Sequence, residues 1–185
     1  MDAPPLSEAV RSDLRRAALA LGVAALDTYL HWAIRNVDLK KPLSRELSGI
    51  EIDFGTLVDM GRKSVKARKA GTLDRPMVRA RNALNEQLLT MTFQSARQVE
   101  KALQMLGVTR CWSKLAPVMN PPTTSADLQK RLNSLSHRRN KIVHEGDLLR
   151  LNRPQKVGHE KITAPEVAAD LDWIEAFVAA LDQVI

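Results

Sequence analysis

An all-α fold is what this chain predicts, and three observations predict it. Apolar residues recur at helical spacing along most of the sequence, and alternation of the strand type is nearly absent. Cap residues, first-turn prolines and stop glycines fall where the periodic segments begin and end. With 185 residues, 44% of them hydrophobic, there is material for one well-packed core and too little for two, so residues 1–185 are read as a single domain.

The elements follow in order. Asp13 is a candidate cap for a long first helix, whose Leu14, Ala18, Leu21, Ala25 and Tyr29 recur on what reads as the inward face. Pro42 closes the segment, and "LSRELSGIEIDFGTL" reads as a connection with room for one helical turn. A second helix covers "LVDMGRKSVKARKA" and stops at Gly71. Asp74 before Pro76 marks the next start, since proline suits a first helical turn. Leu88, Val99, Leu103 and Leu106 carry the apolar face onward to a stop at Gly107. A proline-rich loop, "APVMNPPTTSADLQ", leads to Thr124 or Ser125 as the cap of a helix running from Asp127 to Gly146, with Leu128, Leu132, Leu135 and Val143 inward. Residues 150–162 read as an exposed connection. Thr163 caps a closing helix with Pro165 and Glu166 in its first turn and Leu171, Ile174, Val178 and Leu181 inside. The total is a helical bundle of four to five main helices, with a long N-terminal helix and a closing C-terminal one.

Composition narrows the function. The net charge is +7, which favours a polyanionic partner because Lys and Arg attract phosphates and release their counterions; solubility alone also accounts for such a charge. The single cysteine, Cys111, rules out an intramolecular disulfide and points to a reducing, cytoplasmic setting. The stretch from Ala17 to Ile34 is interrupted by Asp27 and His31, so no membrane span is expected, and "MDAPPLSEAVRSD" does not read as a secretory signal. Four histidines (His31, His137, His144, His159) and one cysteine show no metal-ligand spacing, and no glycine-rich phosphate loop occurs. Neither a metal nor a cofactor is called for.

One stretch carries chemistry: "RRNKIVHEGD", residues 138–147. Arg139 and His144 are five apart, hence about 140° apart around an ideal helix, while Asn140 and His144 share a face. A long arginine side chain can bend toward a phosphate held near His144. These residue types suit RNA cleavage without metal. An imidazole, with an ordinary pKa of about 6.5, can take the proton of a ribose 2′-hydroxyl or give one to the leaving oxygen. A guanidinium offers a fixed fork of donors to the phosphate as charge builds on it. Spacing alone also fits a histidine that merely meets the last carbonyls of its helix beside Gly146.

The string Arg139-Asn140-Lys141-Ile142-Val143-His144 resembles the signature of the HEPN superfamily, an arginine and a histidine four to six residues apart with a polar residue after the arginine. The order of helices is also similar, and "ALGVAALDTYLHWAI" resembles the opening helix of the RiboL-PSP-HEPN branch and its abortive-infection relatives. That resemblance implies a HEPN-like helical bundle, a homodimer with motif helices facing across a cleft, and metal-independent endoribonuclease activity in a toxin–antitoxin or phage-defence setting. It implies Arg139 and His144 as catalytic residues and Asn140 in support. The partners it implies are RNA and a second copy, with an antitoxin or regulatory protein as a further candidate. Some relatives have lost the activity, so a non-catalytic module binding RNA, nucleotide or a partner protein is the alternative. Where some toxins carry a tyrosine two residues after the histidine, this chain has Gly146, so regulation through that tyrosine is not expected.

Further residues are open in role. Arg138 and Lys141 are candidate phosphate contacts or solvated side chains; Glu145 is a candidate neighbour of His144 or decoration of the helix end. Asp27 either faces the cleft and supports the motif or lies at the edge of an apolar stripe. The cluster "GRKSVKARKAG", residues 61–71, is a candidate guide for RNA or a solvated face. Trp32, Trp112 and Trp173 are expected in the core or a dimer interface.

Overall fold

The computed structural model describes residues 6–149 and 158–185. Among them are eight helices: α1 (Glu8–Arg35), α2 (Arg45–Ser48), α3 (Phe54–Lys69), α4 (Pro76–Leu88), α5 (Ala96–Met105), α6 (Cys111–Val118), α7 (Ser125–Glu145) and α8 (Ala164–Val184). The fold is an all-α bundle. Its only strand-like pairing among the described residues is an antiparallel bridge between Leu148 and His159.

Helix α1 is the axis of the bundle. It packs most extensively on α8 and α7 and also touches α4 and α5. Gly22 sits at the tightest crossing, where a Cβ would lie 2.5 Å from the Leu171 side chain. The helix begins at Glu8, because the Ser7 hydroxyl accepts the Val10 N–H; Asp13 lies inside it and instead accepts from Arg16. Its inward face is Leu19, Val23, Leu26, Leu30 and Ile34. The expected inward face divides: Ala18 and Tyr29 pack against the core, while Leu14 is 55% and Leu21 69% exposed, Ala25 is exposed, and Val10 and Trp32 lie on the outer side with them. The helix is apolar on nearly every side, so periodicity does not select the face that the bundle buries. For the same reason α1 is, by length and composition, apolar enough to cross a membrane, a property that core helices share.

Two segments differ from expectation in the middle of the chain. The periodic stretch after Pro76 is divided at Leu89, which is 82% exposed, and α5 starts afresh from a capping box of Ser95 and Gln98. Part of the supposed proline-rich loop is α6, which tolerates Pro117 near its end and starts without a side-chain cap from Arg110 in the left-handed region. Asp74 does not cap α4, whose first residue is Pro76; it receives Arg79 and Ser64 instead. Helix α6 completes the core by placing Trp112 against Phe177 of α8, which stacks in turn on Trp173 with ring centroids 5.1 Å apart. Trp32 is 61% exposed and is not a core residue.

The two helices that frame the site end as their sequences direct. Thr124 caps α7 through the Asp127 N–H, and Gly146 stops it at φ 60°. Thr163 and Glu166 form a capping box at α8. The Thr163 hydroxyl and backbone N–H both donate to the Glu166 carboxylate and hold its pKa below the ordinary value. A depressed folded pKa gives stability that is present above the unfolded pKa and lost as pH falls through the folded one. Thermal melts of wild type and Glu166→Gln should therefore converge as pH is lowered from about 6 to about 3, the wild-type advantage disappearing on the acid side.

Candidate functional site

The candidate motif occupies the last turns of α7, and α7 has two characters there. Leu128, Leu132 and Leu135 anchor its first part in the core. Beyond them the flank of the helix toward α1 and the Leu148–His159 bridge is taken by Arg138 and Lys141, one turn apart. Arg138 donates to Asp147 at 2.8 Å and pairs with Glu160, and Lys141 pairs with the same glutamate. These two cations are thus paired with carboxylates within the fold. Val143, expected inside, is 50% exposed, because that commitment and the core leucines fix the rotation of the helix and leave Val143 outward with Asn140 and His144.

On this outward face stand Asn140 and His144, both exposed, whereas Arg139 continues the stripe of Leu128, Leu132 and Leu135 on the inner side. Arg139 is half-buried, and its Nη1 donates to the Asn140 side-chain oxygen at 3.1 Å. Its Nε is enclosed without a hydrogen-bond partner among the described residues. The guanidinium is therefore drawn round toward Asn140, which shares a helix face with the exposed His144. The amide and the imidazole thus share one surface of the last turns, and the Arg139 guanidinium reaches its edge through Asn140. None of Arg139, Asn140 and His144 lines the nearby cavities of about 800 Å³ and about 440 Å³, the first bounded by Arg15, Arg16, His159 and Lys161, the second by Arg131, Arg138 and Asp170.

The remaining candidates are distributed elsewhere. Glu145 is the half-buried last residue of α7. Asp27 serves the connection between α4 and α5: its carboxylate accepts the backbone N–H of Phe93 and, at 3.0 Å, the side-chain amide of Gln94, with His31 3.6 Å away. Eleven residues along α1 from Arg16, which meets Asp147 beside the motif, Asp27 is about 16 Å farther down the helix axis. It supports a loop, not the motif. The basic cluster lies on α3, a helix with no buried residue, where Arg62, Lys63, Lys66, Arg68 and Lys69 are all exposed. Among the described residues no group of three or more His, Cys, Asp or Glu side chains is arranged to hold a metal ion.

Sequence reasoning missed Arg16, Asp147 and Glu160. Asp147 is wholly buried at φ 59° and receives both Arg16 at 3.0 Å and Arg138. Nothing local singled out Arg16, which stands among Arg11, Asp13 and Arg15 in the polar first turns of its helix.

Against known proteins, the RiboL-PSP-HEPN family model matches residues 1–185. No curated protein and no solved structure gives a significant match. A match over the full length, on an all-α bundle with an Arg-Asn-x₃-His string on its seventh helix, places the chain in the RiboL-PSP-HEPN family, a branch of the HEPN domains, which are often ribonucleases.

Proposed function

We propose that the protein is a metal-independent endoribonuclease that cuts single-stranded RNA at a homodimer cleft. The observation that carries this reading is the exposure of Asn140 and His144 on one face of the last turns of α7, with the head of the half-buried Arg139 bonded to Asn140 from the inner side. In the proposed reaction the His144 imidazole takes the proton of a ribose 2′-hydroxyl, whose oxygen attacks the adjacent phosphorus. The 5′-oxygen leaves with a proton from the protonated imidazole of the second copy. The products carry a 2′,3′-cyclic phosphate and a 5′-hydroxyl. Arg139 donates to the phosphate oxygens as charge accumulates, and Asn140 keeps the guanidinium in place.

Two features support a second copy as the missing wall. The motif of one chain is an open surface, and the apolar Val143 is bare between Asn140 and His144, which suits contact with another apolar surface. The net charge of +7 favours an RNA substrate. A cytoplasmic toxin or phage-defence effector, restrained by an antitoxin or regulatory protein, is the setting this activity would fit. The test is incubation of end-labelled single-stranded RNA with the protein in excess EDTA, followed by analysis of the new ends. Cyclic phosphate and 5′-hydroxyl termini are expected. Binding without cleavage over varied RNAs would replace this reading with the non-catalytic module.

A further inference from the structure

We infer that Asp147 is a positioning residue for the motif, the keystone of a buried charge network that sets the rotation of the last turns of α7; its consequence for cleavage rests on the nuclease reading above. The residue is unusual in three independent ways. It is fully buried although acidic, it stands in the left-handed region although it is not glycine, and it joins three segments far apart in sequence. Its carboxylate receives Arg16 Nε of α1 at 3.0 Å and Arg138 Nη2 of α7 at 2.8 Å. Its backbone N–H donates to the Lys141 carbonyl and its own carbonyl accepts the Glu160 N–H at 2.8 Å. Glu160 then pairs with Arg138 and Lys141 through its side chain, while its carbonyl accepts Arg16 Nη2 at 2.9 Å.

The network therefore holds α7 at residues 138 and 141, the same stretch that carries Arg139, Asn140 and His144. Each grip fixes the helix from one flank and leaves Asn140 and His144 on the outer one. Arg16, Arg138 and Lys141 face Asp147 and Glu160, with the exposed Asp13 also paired to Arg16, so neutralising Asp147 removes the one carboxylate that the two arginines share in the buried part of the network. The energetic drive is then for Arg138 to turn toward solvent, and the last turn of α7 turns with it. Both arginines bond the same carboxylate oxygen of Asp147, and the other oxygen has no hydrogen-bond partner among the described residues.

The experiment compares wild type with Asp147→Asn, which keeps the shape and removes the charge, and with Glu160→Gln, whose side chain is 32% exposed and whose loss the fold tolerates more easily. Three quantities are read: maximal single-turnover cleavage rate, RNA dissociation constant by anisotropy, and the ring NMR signals of His144 against those of His31 and His137. For Asp147→Asn the rate should fall on the order of 10- to 100-fold, as for a misplacement of about 1 Å, with the dissociation constant within about twofold. The His144 signals should shift or broaden while His31 and His137 stay in place. Glu160→Gln should show the same pattern more weakly, and it decides the matter if Asp147→Asn does not fold. Wild-type rates in both variants with unchanged His144 signals would overturn the inference, as would a loss confined to RNA affinity. If the wild type cleaves no RNA, the nuclease reading fails, and the His144 signals alone test the positioning role.

Discussion

His144→Ala should lower the rate of RNA cleavage by about 10²–10⁴-fold, the range in which a single general acid or base contributes. The exposed position of His144 makes this a clean test, since its truncation removes no core contact. Arg139→Ala should cost about 10²–10³-fold through loss of donors at the developing charge. The double variant should be little worse than His144→Ala, because residues that act on one transition state are not additive. Circular dichroism and melting temperature should stay near wild type for His144→Ala. Cleavage that survives in His144→Ala would sink the assigned mechanism, and loss of cleavage in EDTA with recovery on added divalent ion would sink metal independence.

The largest effect on stability should come from Phe177→Ala. Phe177 is completely buried in α8 and its ring is flanked by Trp112 of α6 and Trp173 of α8. Truncation removes the transfer free energy of the ring and leaves a cavity between two indoles that cannot both move into it, a loss of about 3–5 kcal/mol. For a chain of this size each kcal/mol corresponds to ~2–4 °C, so the midpoint of thermal unfolding should fall by ~6–20 °C. A fall under a few degrees would mean that α6 collapses onto α8 and is not held in place by the stack.

Much of the site was legible because its signals are local. Thr163, Pro165 and Glu166 mark the start of α8 through side chains that bond their own first turn, and Gly146 marks the end of α7 through its backbone freedom. The motif was legible for the same reason, since Arg139, Asn140 and His144 lie within two turns of one helix. What was illegible depends on partners distant in the chain. Leu14, Leu21 and Ala25 form as regular a stripe as Leu19, Val23 and Leu26, and only the arrival of α7 and α8 decides which is covered. Arg138 and Lys141 looked like free cations because their acid partners, Asp147 and Glu160, bear no fixed spacing to them. The basic cluster on α3 is exposed, one of its two expected readings, while Asp27 was recruited by the Phe93 backbone N–H and the Gln94 side-chain amide at a loop some 66 residues away.

The order of synthesis gives the placement of α1 a further consequence. Its main partners, α7 and α8, are made after the other six described helices. As the chain emerges, α1 therefore shows both of its apolar stripes to water until residues beyond Ile174 are free of the ribosome, with only α4 and α5 to cover part of one. Contacts of such long sequence separation slow the final closure of the bundle, and the nascent chain waits as a sticky helix in search of a partner. Truncations that lack α8 should therefore be captured by chaperones or lost to aggregation, even though every residue of the Arg139–His144 motif is already in place.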